Sequence, residues 1–251
     1  MIGNCGERMP LAPELIAGLK KIGVPTTTTI MEKLGFRNAY MSGIPRVAVP
    51  SNGERMVGLA RTLRFTPLRE DLVEAQYAKV SESPHRSIME SIEPGEVLVV
   101  DCAGFLGAGI AGELFTRRIC FRGGVGLVVD GAIRDLSAIQ AIGLPVYAKG
   151  VHGAGIPRAL MSVGKDEPIC CGGLTVIPGD IILGDAEGVV AIPRGVVEKV
   201  VKLALEHDQM ERFARAKLNN GASLHEVYPP TGDGQIEFEK WLAEQPTEGP
   251  S

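Results

Sequence analysis

The chain has 251 residues, of which 32 are Gly and 17 are Pro, and this share of helix-breaking residues excludes a fold built only from helices. Hydrophobic residues make up 45% and charged residues 22%, which excludes a disordered chain. The net charge is −4 and no block of like charges occurs, so neither nucleic acid nor an anionic membrane surface is an expected partner.

The cysteines predict neither a zinc site nor a disulfide framework. The chain has five of them, with no C-x-x-C pair and no Cys/His cluster of zinc spacing. An odd number without a secretory leader predicts reduced thiols in a cytoplasmic protein. The uncharged stretch 102–112 falls well short of the roughly 20 residues that a membrane-spanning helix needs, so no transmembrane segment is expected.

The first part of the chain is predicted to hold two helices and then short strands. Apolar residues recur at helical spacing over 13–22, with Pro at the start and Gly after the end. The threonines of 26–29 are predicted to cap a second helix. Over 43–65, short apolar runs separated by Pro and Gly predict strands, and the charged stretch 67–91 predicts helix and loop.

The middle of the chain predicts a strand-loop-helix-strand unit. Residues 96–101 and 126–130 are apolar runs that each end in Asp, as buried strands with a polar C-terminal end do. Between them lie a glycine-rich loop and a predicted helix over 113–122, with Glu at its start and Arg near its end. Such a unit predicts a parallel pair of strands joined by a right-handed crossover.

The last third of the chain repeats part of this pattern. Residues 178–185 again read as a turn, a buried strand and a terminal Asp, and 188–192 predict one more strand. Apolar spacing over 196–221 predicts a long amphipathic helix. No linker divides the chain, so we expect one domain over 1–226 and an irregular C-terminal extension over 227–251.

Residues 107–112 spell the glycine pattern G-x-G-x-x-G in front of the predicted helix, with Asp130 at the end of the next strand. Dinucleotide-binding enzymes share this pattern, but there the first glycine follows its strand almost at once. Here five residues intervene, so we favour a pocket in which backbone N–H groups of residues 112–115 bind a carboxylate or an enolate oxygen. Glycines that serve only tight turns and close packing are the alternative.

The sequence Asp130-Gly131-Ala132-Ile133-Arg134-Asp135 stands directly after a predicted buried strand, the end of a sheet at which α/β proteins usually bind ligands. Arg134 suits bidentate binding of a carboxylate, and Asp135 suits a hard cation such as Mg²⁺. If a helix begins over 133–136, the two side chains diverge and flank a ligand rather than neutralise each other. The alternative is a surface Arg/Asp pair that caps a helix.

An ordered series of segments runs through the chain: Gly112-Glu113-Leu114, Arg122-Gly123, Gly126, Asp130 to Asp135, Pro145 to Gly150, and Gly172-Gly173 through Pro178-Gly179-Asp180 to Val189. Together they resemble the RraA-like family, which includes class II 4-hydroxy-4-methyl-2-oxoglutarate / 4-carboxy-4-hydroxy-2-oxoadipate aldolases and a regulator of ribonuclease E activity. The resemblance covers about residues 25–222. It implies an α/β fold, an α/β/β/α sandwich of the swivelling-domain-like type, assembled as a homotrimer or homohexamer with sites between subunits.

The resemblance also implies catalytic roles for four residues. Asp135 is the carboxylate that contacts a divalent metal, with Mg²⁺ favoured and Mn²⁺ the second choice. Arg134 holds pyruvate and steadies its enolate. Glu113 falls at an acidic position that orders water at the metal. Glu211, on a loose alignment, would reach in from the last helix of a neighbouring subunit.

Substrate binding is implied for the start of the helix that follows the glycine pattern. Next to Gly112, the backbone N–H groups of Leu114 and Phe115 receive the pyruvate carboxylate. The aldolase pattern commonly has two leucines here, a difference that matters little if only the N–H groups bind. Arg117 and Arg118 are particular to this sequence and leave the substrate open.

The sequence therefore predicts a metal-dependent lyase. It would cleave 4-hydroxy-2-oxo-dicarboxylic acids to pyruvate and a carbonyl product, and decarboxylate oxaloacetate through the same enolate. A small 2-oxo acid and further copies of the chain are the expected partners. Two alternatives stay open: a non-catalytic RraA-like regulator that binds a ribonuclease, and a dinucleotide-binding enzyme.

Other reactive side chains have simpler interpretations. Lys149 could form a Schiff base in a metal-free aldolase, but a solvated lysine at a strand end is favoured. His152 is interpreted as a loop histidine without a partner. Cys170 and Cys171 are adjacent and so are interpreted as strand packing rather than as a redox pair. The remaining histidines lack metal-ligand spacing: His85, His207 and His225.

Overall fold

The computed structural model describes residues 9–72, 83–156 and 159–245. Its strands are β1 (Arg46–Ala48), β2 (Met56–Pro67), β3 (Glu96–Gly109), β4 (Gly126–Ile133), β5 (Val146–Val151), β6 (Leu160–Lys165), β7 (Ile169–Cys171), β8 (Leu174–Val176), β9 (Ile181–Gly184) and β10 (Val189–Ile192). Its helices are α1 (Pro13–Lys21), α2 (Val24–Lys33), α3 (Pro84–Glu90), α4 (Glu113–Phe121), α5 (Leu136–Ile142), α6 (Val197–Asn219), α7 (Leu224–Val227) and α8 (Asp233–Glu244).

Eight of the strands form one mixed sheet in the order β1-β5-β4-β3-β2-β9-β10, with β6 also paired to β2. Strands β2, β3, β4 and β5 run parallel to one another, which confirms the parallel pair predicted around the central helix. The pairs β2–β9 and β9–β10 are antiparallel. Strands β7 and β8 form a separate hairpin.

The core explains why these strands read as continuous apolar runs. Along β3, Leu98 and Val100 face a cluster under α3, α4 and α5, while Val97 and Val99 face a second cluster on the opposite side of the sheet. This second cluster also contains Ile182 of β9, so it lies between the two halves of the curled sheet. Helices α1, α2 and α6 cover the outer side of β9 and β10. This arrangement confirms the predicted α/β/β/α layering.

Three local predictions need correction. Helix α2 begins at Val24, and Thr27 bonds back to the carbonyl of Gly23 from inside the helix rather than capping it. Strand β3 continues through the predicted glycine loop to Gly109. The C-terminal stretch is not irregular, because it contains the 12-residue helix α8, whose Phe238 and Trp241 pack on Phe213 of α6.

A buried arginine ties the parallel strands to their surroundings. Arg61 of β2 is 1% exposed, and its guanidinium bonds to Glu96 at 2.9 Å and to Asp166 at 2.7 Å and 3.1 Å. The carbonyl and hydroxyl of Ser91 accept further hydrogen bonds from it. Since the charge is paired on several sides, the core tolerates it.

No helix among the described residues is long and apolar enough to cross a membrane.

Candidate active site

Strand β3 ends shortly before α4 begins, and this connection lies beside the end of β4. Register breaks between Asp101 and Gly109 let β3 take up extra residues relative to β4. Beyond the last ladder pair, Ile110 donates to the carbonyl of Ala132, and Arg134 donates to the carbonyl of Ala111, each at 2.9 Å. These bonds place the glycine pattern at 107–112 side by side with the segment 130–135 that contains Arg134 and Asp135.

Gly112 makes the close approach of these segments possible. It is the residue before α4, and a Cβ added to it would lie 2.4 Å from Asp135 Oδ2 and 3.1 Å from Arg134 Cγ. Any side chain at this position would therefore displace the Asp135 carboxylate. The glycine is needed for approach, which fits the pocket interpretation better than tight turning alone.

Asp135 caps the start of helix α4 from across the site. Its Oδ2 accepts a hydrogen bond from the backbone N–H of Glu113 at 3.3 Å. The first N–H groups of a helix have no partner within it, and they carry the positive end of the helix dipole. The N–H groups of Leu114 and Phe115 follow in the same first turn, so the start of α4 has donors of the kind that bind anions in other proteins.

Arg134 and Asp135 converge rather than diverge. Arg134 Nε lies 3.2 Å from Asp135 Oδ2, and the two side chains are 45% and 40% exposed. The expected divergence is wrong because no helix spans both residues. Asp135 adopts a left-handed conformation at φ 57°, and α5 begins only at Leu136. The two side chains therefore form one ion pair at a cavity.

Glu113 forms an ion pair within its own helix. Its Oε1 accepts a hydrogen bond from Arg117 Nε at 2.8 Å, one turn along α4. Both side chains are solvent-exposed, so the pair adds little to stability. Arg117 is therefore a partner of a proposed site residue.

A cavity of about 270 Å³ opens next to Arg134 and Asp135. Five of the predicted site residues line it, namely Gly112, Leu114, Phe115, Arg134 and Asp135, whereas Glu113 does not. Gly109 and Ile110 of the predicted glycine-rich segment also line it. The other walls come from residues for which no role was predicted: Phe65, Ser83, His85, Arg86, Gly155, Ile156, Leu160, Met161 and Ser162.

Two of the predicted site residues differ in how they meet this cavity. The Leu114 side chain is 79% exposed, whereas Phe115 packs against the core below α4. Phe115 also stacks at a tilt on His85, with ring centroids 4.5 Å apart. His85 lacked any sequence signal for function, because the residues that surround it lie far away along the chain.

Glu211 lies elsewhere in the chain. It is on α6, with Oε1 3.3 Å from His207 Nε2, and it does not line the cavity. The hydroxyl of Tyr228 lies 3.3 Å from the same nitrogen, and burial, followed by the negative charge of Glu211, raises the pKa of Tyr228. Within one chain, Glu211 and Asp135 therefore do not line the same cavity.

The site offers few ligands to a metal. Within the described ranges no group of three or more His, Cys, Asp or Glu side chains is gathered to hold an ion. Asp135 is the carboxylate at the cavity, and it is partly exposed. A single carboxylate fits Mg²⁺, which often takes one or two protein carboxylates and completes its shell with water and substrate oxygens. It does not fit a structural zinc site.

The other reactive side chains have local partners. Lys149 Nζ lies 2.5 Å from the buried carboxylate of Asp130, so it is ion-paired rather than solvated, and a Schiff base there would leave a buried charge unpaired. His152 Nδ1 accepts a hydrogen bond from the N–H of Ala154. Burial raises the pKa of the Cys102 and Cys171 thiols, which keeps both unreactive.

The glycine pattern does not form a dinucleotide-binding turn. Gly107 and Gly109 lie inside β3, and only Gly112 stands at the helix start. In a dinucleotide fold the glycines form the tight turn between strand and helix.

Fold and site together define an α/β protein in which a helix start lies beside an Arg–Asp pair at a cavity. The model of the RraA-like family, described as Aldolase/RraA, matches residues 26–191. The chain belongs to the RraA-like family, as the sequence resemblance indicated.

Individual relatives agree with this assignment. A Halalkalibacterium halodurans protein provisionally named a 4-hydroxy-4-methyl-2-oxoglutarate aldolase is 32% identical over 168 residues, which are 64% of this chain and 78% of the relative. The structure of Streptomyces coelicolor RraAS2, described as an unusual member of the RNase ES inhibitor RraA family, has a TM-score of 0.72 at 30% identity, over 82% of this chain and 98% of that one. A Pseudomonas syringae pv. tomato structure reaches 0.77 at 21% identity, over 91% and 99%, and shows the fold alone.

Proposed function

We propose that the protein is a divalent-metal-dependent class II aldolase. It cleaves 4-hydroxy-2-oxo-dicarboxylic acids to pyruvate and a carbonyl product, and it decarboxylates oxaloacetate through the same pyruvate enolate. The observation that carries the proposal is the contact of Asp135 with Arg134 and with the start of α4, at one end of a cavity of suitable size. The H. halodurans relative, whose name states such an aldolase, supports it.

The protein groups divide the work on the pyruvate half of the substrate. The N–H groups of Leu114 and Phe115 bind its carboxylate, aided by the helix dipole. Arg134 donates hydrogen bonds to the developing enolate oxygen, which gains negative charge as the C–C bond breaks. Because Asp135 also contacts Arg134 and the N–H of Glu113, it fixes the guanidinium and the helix start relative to each other.

Asp135 is the residue that would hold the metal. When bound, a divalent cation supplies a Lewis acid for the ketone and enolate oxygens. Glu113 lies within the first turn of α4, where its carboxylate can order water beside Asp135 once it leaves Arg117. Water ordered in this way is a suitable proton carrier to the enolate carbon, with the proton coming from the C4 hydroxyl in aldol cleavage and from solvent in decarboxylation.

Completion of the site by a second subunit is part of the proposal. Glu211 is on α6, away from the cavity of its own chain, so it can act only in the cavity of a neighbouring copy. Exposed Leu114 and Phe121 on α4, which are 79% and 82% exposed, give such a copy an apolar surface to pack on. A homotrimer or homohexamer would close the site in this way.

A regulator that binds a ribonuclease is the second candidate. The S. coelicolor relative described as a member of an RNase ES inhibitor family favours it. The joined Arg134–Asp135 pair at a cavity favours chemistry, because a surface that only binds a protein has no need of it.

Pyruvate release tests the proposal directly. Purified protein with Mg²⁺ or Mn²⁺ should form pyruvate from oxaloacetate and from a 4-hydroxy-2-oxo-dicarboxylic acid, and EDTA should abolish this. Asp135→Ala and Arg134→Ala should each lose at least 100-fold in rate, while Glu54→Ala, an exposed acid outside the cavity, should not change it. Full activity in excess EDTA, or trapping of Lys149 by borohydride, contradicts the proposal.

Mixed assemblies test the shared site. Asp135→Ala and Glu211→Ala chains are each expected to be inactive, and co-assembled chains should regain part of the activity because some sites then contain both residues. An active Glu211→Ala protein would place Glu211 outside the reaction, and no recovery on mixing would contradict a site shared between subunits.

A further inference from the structure

A histidine in the cavity wall has no role in the steps above. His85 is near the start of α3, and 8% of it is exposed. Its ring lies between two aromatic side chains, edge-on to Phe65 at 5.3 Å between centroids and tilted on Phe115 at 4.5 Å. Because the backbone N–H of Phe115 belongs to the proposed pyruvate pocket, His85 stands directly next to that pocket.

The imidazole is neutral at physiological pH. Burial lowers the pKa of His85 to about 4, and the positive charge of Arg86 acts in the same direction, although a backbone hydrogen bond at Ile110 opposes both. A neutral imidazole has one N–H donor and one acceptor nitrogen. Because the backbone hydrogen bond at Ile110 occupies the N–H of the ring, Nε2 is left as an acceptor, which suits a hydroxyl donor rather than a carboxylate.

His85 is also incompletely paired. Its Nε2 is buried and has no hydrogen-bond partner among the described residues. A buried polar atom left in this state costs about 1–3 kcal/mol, so most proteins avoid it. The cost is recovered when a bound molecule supplies the missing partner.

The neighbouring wall contains both apolar and polar side chains. The apolar ones are Ile110, Ile156, Leu160 and Met161, and Ser83 and Arg86 line the cavity beside His85. Ser162 is buried beside them, and its hydroxyl already accepts a hydrogen bond from the backbone N–H of His85. Arg86 carries a charge and suits a carboxylate, whereas the uncharged ring of His85 suits a neutral polar group of a ligand that meets this wall.

We propose that His85 binds the hydroxyl group at C4 of the aldol substrate, and this inference rests on the proposed function. With the carboxylate of C1 at the start of α4 and the C2 oxygen at Arg134, the chain of the substrate continues to C3 and C4. The C4 hydroxyl then faces the wall that is stacked on Phe115. Oxaloacetate has a carboxylate at C4 and no hydroxyl, so His85 distinguishes the two reactions of the same site.

The test compares aldol cleavage with oxaloacetate decarboxylation in the same variants. His85→Leu removes both nitrogen atoms, His85→Asn keeps a donor and an acceptor, and His225→Leu changes an exposed histidine outside the cavity. For His85→Leu, kcat/KM for 4-hydroxy-4-methyl-2-oxoglutarate should fall about tenfold, as expected for the loss of one hydrogen bond. Its kcat/KM for oxaloacetate, and the exchange of the C3 protons of pyruvate in D₂O, should stay within twofold. His85→Asn should recover part of the loss.

The outcomes separate this inference from the function on which it rests. Equal losses in both reactions, or unchanged aldol cleavage in His85→Leu, overturn the role of His85 and leave the aldolase intact. Wild-type protein that releases no pyruvate from either substrate overturns the proposed function and the inference with it. A selective loss of aldol cleavage supports both.

Discussion

The carboxylate of Asp135 caps a helix to which it does not belong: its Oδ2 accepts a hydrogen bond from the backbone N–H of Glu113 across 22 positions of sequence. The bond joins the end of β4 to the start of α4. It holds the carboxylate of Asp135 and the guanidinium of Arg134 against a row of N–H donors that begins 22 positions earlier along the chain. The geometry of the proposed site depends on this contact.

Replacing Gly112 by Ala is expected to break that contact. The added methyl would stand 2.4 Å from Asp135 Oδ2, so the carboxylate has to move. Displacement of about 1 Å at a reacting centre costs about 100-fold in rate, and we expect a loss of pyruvate release of this order. The free energy of unfolding should change by less, about 1–2 kcal/mol, because Asp135 is half exposed and can shift into solvent.

Gly195→Ala is the matched control for this variant. No atom lies within 4 Å of the position that its Cβ would take. Its activity and its melting temperature should both resemble those of the wild type. An active Gly112→Ala protein would show that the contact between Asp135 and the start of α4 is not needed for the reaction.

The Glu113–Arg117 pair gives a second prediction. Neutralising either partner removes the same exposed ion pair, which is worth about 0.5 kcal/mol or less, so neither change should shift the melting temperature by more than a degree or two. If Glu113 acts in proton transfer, Glu113→Gln lowers kcat at least tenfold while Arg117→Gln does not. Rates that fall equally in the two variants would instead assign Glu113 to the ion pair alone.

The sequence predicted one side of the site and not the other. Residues at 112–115 and 134–135 follow predicted strands of one parallel pair, so their meeting was foreseeable from the rule that such ends lie at one edge of the sheet. The contact of Arg134 with Asp135 was not foreseeable. The contact depends on the left-handed backbone conformation of Asp135, which the sequence did not predict.

The far wall of the cavity had no signal in the sequence. His85 is brought to Phe115 by the packing of α3 against β6 and α4, and this packing involves residues that are about 30 to 80 positions apart along the chain. Periodicity predicts which face of an element is buried, but not which element it meets. Helix α8 was missed for a different reason: Pro and Gly residues around its start made the stretch look irregular.

Arg61 provides a prediction about the fold itself. Its removal would leave Glu96, which is 3% exposed, as a buried carboxylate without its cation. Breaking one side of a buried ion pair typically costs about 3–5 kcal/mol, and we expect Arg61→Ala to lower the free energy of unfolding by that amount in urea denaturation. The double variant Arg61→Leu/Glu96→Leu should recover part of the loss, because the buried carboxylate of Glu96 is then removed together with its cation.

Arg64, three residues along the same strand, is the control. It pairs with Glu167 at 3.0 Å, but the two side chains are about 40% exposed. Arg64→Ala should therefore cost less than about 1 kcal/mol. Equal destabilisation by Arg61→Ala and Arg64→Ala would contradict the importance assigned to burial.

The pH dependence of stability should report the buried His85. Its pKa is about 4 in the folded protein and 6.5 in the unfolded chain, so between these values the unfolded chain binds more protons. Stability therefore rises with pH through this window, is fully present above pH 6.5, and is lost as the pH falls towards 4. From pH 7 to pH 5 the wild type should lose about 2 kcal/mol through this residue, and His85→Leu should not.

Asp180 acts in the opposite direction within the same window. Burial raises the pKa of Asp180 to about 6, although the hydrogen bond from the N–H of Ile177 acts against this. Between pH 6 and about pH 3.8 its carboxyl group is therefore protonated in the folded protein and ionised in the unfolded chain. This group gains about 1 kcal/mol between pH 7 and pH 5 and masks part of the effect of His85. We therefore expect three different changes in the free energy of unfolding when urea denaturation at pH 5 is compared with pH 7. Asp180→Asn should lose the most stability, the wild type should lose less, and His85→Leu should gain stability. The reverse order would show that the two groups do not titrate as their burial requires.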